Sequence, residues 1–333
     1  MLSLAALWLA AAAADQHPPM LDRVEVSRVV IDARIVDGRG RVIPSLTREE
    51  VRLEVDGRPV RLESVDWIDE TGRAPAQAAS PWPRLARPID APGRLIVFLF
   101  QKDFQGGRMK GLIRMKDRAA ALLDSLGSRD QVAVLVYDSH LRLHADFTTD
   151  RSVLRRSILH SVVHEWPKPI DAGPFPSLAA LLDRQAARDA ATPETALLVL
   201  GRALQPLPGA KSVVLFGWGL GRLVDGTVQM ENDYGAAQRA LAEARATVFS
   251  LDITDADYHS LEVGLEQVAE DTGGFYMKTH VNPGAAMSRL TEAPAGYYVL
   301  TFEKPPGRRG SHHVRVGLVG RKGTVLTRNG YVD

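Results

Sequence analysis

Residues Arg94–Gln105 read R-L-I-V-F-L-F-Q-K-D-F-Q. Six consecutive apolar residues, β-branched and aromatic among them, predict a strand buried on both faces. A polar loop follows, and apolar residues at helical spacing (Leu112, Ile113, Ala119, Ala120, Leu123) predict a helix over about 109–126. A buried strand, a polar turn and a covering helix open a doubly wound α/β domain, whose ligand crevice lies at the carboxyl ends of its strands. Gln101, Asp103 and Gln105 fall at that end and are the first candidates for function.

Downstream the alternation continues. V-A-V-L-V-Y (132–137), S-V-V-L-F-G-W-G (212–219) and T-V-F-S-L-D (247–252) read as further buried strands, and F-Y-M-K (275–278) as a short last one. L-R-L-H-A-D-F (141–147) alternates and fits an antiparallel edge strand. Helices are expected at about 149–165 with Thr149 as N-cap, 178–190, 193–204, 230–245, 258–272 and 283–291. The fold expected over 93–292 is a doubly wound, mostly parallel sheet.

On either side the period is two. The segment 23–69 reads as β structure with a hairpin signal at Asp56-Gly57. Three strands are expected in 293–333, completing a small β module with the N-terminal ones. Residues 70–92 are Pro- and Ala-rich, a linker composition. Residues 1–22 hold an apolar run, Met1–Ala14, too short to span a bilayer and shaped like a secretory signal that lacks its basic flank. Export to the periplasm, cell envelope or medium is the expectation.

Composition narrows the function. With 41 basic and 40 acidic residues there is no footprint for nucleic acid, and with no cysteine there is no thiolate metal site or cysteine nucleophile. G-W-G-L-G (217–221) has the wrong spacing for a dinucleotide loop and reads as a tight turn. His160 and His164 stand four apart, but H-x-x-x-H-E misplaces a zincin's glutamate. His140 and His144 share a face of the expected edge strand, and His312-His313 point to opposite faces. No G-x-S-x-G elbow occurs, and no residue is nominated as catalytic.

The order of elements in 94–292 resembles a von Willebrand factor type A domain. The whole chain after residue 22 resembles the bacterial secreted, VWFA-related type, on E-V-D-G-R-P-V (54–60), A-E-D-T-G-G (269–274), A-G-Y-Y-V-L-T-F (295–302) and R-N-G-Y (328–331). The resemblance implies a protein-binding module using a Mg²⁺ adhesion site, with D-x-S-x-S after the first strand, a Thr after the edge strand and an Asp after the fourth strand. Placed here, the first motif reads Gln101-x-Asp103-x-Gln105, the threonine is Thr148 or Thr149, and Trp218 stands where the later aspartate belongs. Two carboxylates are missing, and charge count tunes such sites, so a degenerate metal site is expected. Asp103 with Thr149 is the remaining candidate pair for a weak Mg²⁺. The expected function is an exported, non-enzymatic protein- or peptide-binding module with no cofactor. Its face is built from Gln101, Asp103, Phe104, Gln105, Thr148, Thr149, Gly217, Trp218 and Gly219. An enzyme or small-molecule binder using the same crevice, or a structural cell-envelope component, is the alternative.

Overall fold

A computed structural model describes residues 27–70, 93–161, 169–307 and 309–333. The expected signal segment, most of the linker and His164 lie outside the described residues.

The central sheet contains β5 (Leu95–Gln101), β6 (Gln131–Tyr137), β7 (Leu141–Thr148), β8 (Lys211–Gly217), β11 (Ala246–Asp252) and β12 (Tyr276–Lys278). Its spatial order is β12-β11-β8-β5-β6-β7. All neighbours pair in parallel except β6 and β7, so the sheet is mixed, with one antiparallel edge. Chain order reverses between β5 and β8, which puts a switch point at the ends of those two strands.

The uninterrupted apolar run of β5 follows from covering on both faces. Val97 and Leu99 join a core with Leu135, Val213 and Leu215, closed by α5 (Pro193–Leu204), α6 (Tyr234–Glu243) and α7 (Glu262–Asp271). Ile96, Phe98 and Phe100 point the other way, against α1 (Gly106–Leu122), α2 (Arg151–Arg156) and α8 (Pro283–Glu292). Phe100 stacks on Phe216 at 4.5 Å.

Helix limits differ where polar side chains cap early. Asp150, not Thr149, caps α2 through the N–H groups of Ser152 and Val153. The stretch expected as one helix over 178–190 is two, α3 (Leu178–Leu181) and α4 (Arg184–Asp189), because Asp183 turns to cap the second. A hairpin, β9 (Arg222–Val224) and β10 (Thr227–Gln229), was not expected. It turns on Asp225-Gly226, both at positive φ, the same chemistry as Asp56-Gly57.

The β module is assembled from both chain ends. β1 (Arg28–Val36) and β4 (Leu62–Asp69) flank β13 (Gly296–Glu303), with β15 (Thr324–Thr327) beyond β1. β2 (Val51–Val55) lies between β3 (Arg58–Val60) and β14 (Ser311–Leu318), with β16 (Gly330–Val332) at the far edge. The two sheets share one core around Ile31, Leu53, Tyr298, Leu300, Phe302 and Val314. Among the described residues after 293 there are four strands rather than the three expected.

The module docks at the amino ends of the central strands. Asp32 pairs with Arg245 at 2.7 Å, Arg34 donates to Thr247 Oγ1 at 2.8 Å and Asn329 to Asp271 at 2.7 Å. Arg245 precedes β11 and Thr247 is its second residue, so these contacts leave the carboxyl ends of the sheet uncovered by the module.

Candidate functional site

Gln101 ends β5 and is 1% exposed. A buried amide must find partners, and this one finds them across the switch point. Its Nε2 donates to Gly219 O at 2.8 Å, and its Oε1 accepts from Trp218 N at 2.9 Å and Gly219 N at 3.2 Å. The glycines of G-W-G-L-G make room for this join. A Cβ on Gly219 would lie 2.5 Å from Leu261 Cβ, and Gly221 has φ +77°.

Asp103 is partly buried. Its Oδ1 accepts from Gln105 N at 2.9 Å, while its Oδ2 pairs with Arg108 Nη1. The Arg108 guanidinium lies 3.7 Å from the centre of the Trp218 ring, a close cation–π stack. Trp218 is half-buried, neither fully exposed nor fully in the core. Phe104 is 76% exposed, and the Lys102 ammonium sits 5.1 Å from its ring. Gln105 is exposed and precedes α1 as its N-cap residue. The residues Gln101, Asp103, Phe104, Gln105, Gly217, Trp218 and Gly219 therefore share one end of the sheet.

Thr148 and Thr149 do not join them. In the edge register Thr148 is opposite Val132, which is level with Ile96, whereas Gln101 is level with Tyr137 and Leu141. Five residues of strand separate the two levels, about 16 Å. An antiparallel strand carries the chain back to the amino end, so the loop after it emerges on the wrong side. Asp103 and Thr149 cannot hold one ion between them. Thr148 Oγ1 instead accepts from Asp150 N at 3.1 Å.

The residue that does return to the crevice from beyond the edge strand is Glu194, in the first turn of α5. It is fully buried; Oε1 accepts from Gly221 N at 2.6 Å and Oε2 has no partner. Burial pushes its carboxyl above the usual range. Sequence reading missed it, although T-P-E before an apolar helical run is an N-terminal signature.

These donors do not fit a hard divalent ion at the position the resemblance implies. The amide of Gln101 is spent on backbone, and Oδ2 of Asp103 is spent on a cation the chain itself supplies. Trp218 stands where the resemblance implies the last carboxylate, and its indole supplies no oxygen. Among the histidines, His160 is exposed and His140 bonds Ser139 Oγ at 2.9 Å. His144 has a buried, unpartnered Nδ1, and its pKa is lowered to about 4 by burial and then by Arg142 and Lys102.

Four connections leaving this end of the sheet each expose a large apolar side chain. They are Phe104 after β5, Leu223 after β8, Tyr258 after β11 and Val281 after β12, all more than half exposed.

No family model and no curated protein matches the sequence. Similar solved structures include the conserved hypothetical protein BatB from Bacteroides thetaiotaomicron, with 15% identity and TM-score 0.39 over 61% of this chain and 98% of that one. An aerotolerance-related membrane protein from Bacteroides fragilis gives 14% identity and TM-score 0.39 over 61% and 99%. A von Willebrand factor type A protein from Catenulispora acidiphila gives 10% identity and TM-score 0.43 over 92% and 72%. The chain's own central sheet has strand order 3-2-1-4-5-6 with an antiparallel edge, and Gln101 ends the strand at its switch point.

Proposed function

We propose that the chain is an exported, non-enzymatic binding module that grips a protein or peptide partner without a metal ion, through the carboxyl-end face of its A-type sheet. The observation that carries this reading is the Asp103–Arg108–Trp218 stack, on the same sheet end as the connections that expose Phe104, Leu223, Tyr258 and Val281. Exposed apolar groups along one sheet end that also holds an Arg/Trp pair have the make-up of an interaction surface. In this reading Arg108 supplies the positive charge that a metal ion supplies in adhesion sites. The apolar run Met1–Ala14 supports export. No helix among the described residues is long and apolar enough to cross a membrane.

The test is site-specific photo-crosslinking in the source cell's envelope fraction, with the photoreactive residue placed at Phe104 or Leu223, away from His259, and, as control, at Val319 of the β module. One partner captured from the first two sites and not the third is expected, unaffected by EDTA. Arg108→Ala should weaken capture by about 30-fold, as loss of a 2 kcal/mol anchor would. Capture abolished by EDTA, or equal at all three sites, refutes the reading. A calorimetric titration with Mg²⁺, Mn²⁺ and Ca²⁺ beside Asp103→Ala closes the metal question at this position: saturable heat lost in the variant would restore the adhesion-site mechanism.

A further inference from the structure

At the end of β11, next to this face, a second cluster forms outside the Gln101–Trp218 crevice. Asp252 is the last residue of β11, and its side chain is 1% exposed. Its Oδ1 accepts from Thr254 N at 2.9 Å, and its Oδ2 accepts from Tyr276 OH at 3.0 Å. The same Oδ2 lies 2.8 Å from His259 Nε2. Three residues on, Glu262 opens α7 with a mostly buried side chain; its Oε2 is 2.8 Å from Lys278 Nζ. One ligand atom from each of Asp252, His259 and Glu262 falls within 4.8 Å of the others.

We propose that Asp252, His259 and Glu262 form a binding site for one divalent transition-metal ion of the Zn²⁺ or Mn²⁺ class. One imidazole and two carboxylates suit these ions, whereas Mg²⁺ and Ca²⁺ prefer oxygen alone. Zinc–ligand bonds of about 2.0–2.2 Å set two tetrahedral ligand atoms roughly 3.4 Å apart, so an ion in place of the proton between Nε2 and Oδ2 needs the pair to open by about 0.6 Å. The Glu262 side chain closes the remaining gap. Asp252 is held in place for this: Thr279 Oγ1 donates to its carbonyl at 2.6 Å, and Tyr276 and Thr254 hold the two carboxylate oxygens.

Lys278 is the competing cation. Its ammonium now neutralises Glu262 and also donates to the Asp257 carbonyl, so it keeps a partner when an ion displaces it. A purely structural hydrogen-bond cluster would gain nothing from the loss of that ammonium. A metal site would.

The experiment is calorimetric titration of Zn²⁺ into the EDTA-stripped full chain, with the visible absorption of Co²⁺ as the spectroscopic reading of an imidazole–carboxylate site. One saturable site is expected. His259→Ala and Glu262→Gln should each weaken it by about 100-fold or more, and Lys278→Met, which removes the cation competing for Glu262, should tighten it by about tenfold. Asp103→Ala should leave it unchanged, which separates this site from the Asp103–Arg108–Trp218 stack. No saturable site, a site that survives His259→Ala, or no gain in Lys278→Met overturns the proposal. If His259→Ala fails to fold, the Co²⁺ spectrum and the Lys278→Met gain decide it.

Discussion

Gln101→Ala removes a buried side chain that joins the end of β5 to the loop after β8. Three hydrogen bonds go with it, and Trp218 N, Gly219 N and Gly219 O are left without their partner. Gly219 is buried, so water replaces little of what is lost. A hydrogen bond contributes about 1 kcal/mol net, rising toward 1–3 kcal/mol where a buried group is left unpaired, so the loop should lose about 3–5 kcal/mol of local stability. Amide hydrogen exchange measured by NMR reads this directly. Protection at Trp218 and Gly219 should fall by about two to four orders of magnitude, while amides in β1 and β13 stay as they are. Gln101→Glu sharpens the test, because it keeps the acceptor and sets a carboxylate oxygen against Gly219 O. Its defect should be large at neutral pH and shrink at acid pH, where the protonated carboxyl donates again. Wild-type protection at Trp218 and Gly219 in Gln101→Ala would refute the view that this amide, rather than the surrounding packing, holds the crevice closed.

His144 should impose an acid limb on stability. Its folded-state pKa is lowered to about 4 from 6.5, so the unfolded chain takes up the proton first, and stability falls as pH drops from about 6.5 toward 4. The full loss is about 3 kcal/mol, and His144→Leu should flatten that part of the curve in urea titrations across pH. Glu194 has the opposite sign: a raised carboxyl favours the fold at low pH, and its contribution is lost as pH rises through the raised value. Glu194→Gln should therefore be more stable than wild type at neutral pH, with the advantage vanishing below the ordinary glutamate range; a less stable variant at neutral pH would contradict this. In the β module, Tyr298 OH donates to Ile43 O at 2.6 Å and accepts from Leu46 N at 2.9 Å. Tyr298→Phe should cost about 2 kcal/mol in urea unfolding, because both backbone groups lose a buried partner.

Much of the fold was legible because its signals are local. The run Leu95–Phe100 cannot be a one-faced strand, and the two cores on either side of it explain why every position is apolar. Asp56-Gly57 announced its hairpin through the positive φ that its turn requires. Asp225-Gly226 carried the same signal and was passed over, because its flanking strands, Arg222–Val224 and Thr227–Gln229, are too short to show a period. Thr149 read as a cap where Asp150 is one, and both residue types suit that position.

The site was less legible. Sequence by itself determined that Gln101 and Trp218 fall at the ends of two buried apolar runs, since residue identity and local period suffice for that. Only the tertiary structure decided that Thr148 lies about 16 Å away along the sheet, because the direction of an edge strand is set by long-range pairing. Only it placed the Arg108 guanidinium on Trp218, and the buried Glu194 beneath Gly221. Only it gathered Asp252, His259 and Glu262, whose spacing in the chain means nothing until a strand end, a turn and a helix start converge. Periodicity is a property of neighbours in sequence. A site depends on which strand ends the folded core brings together.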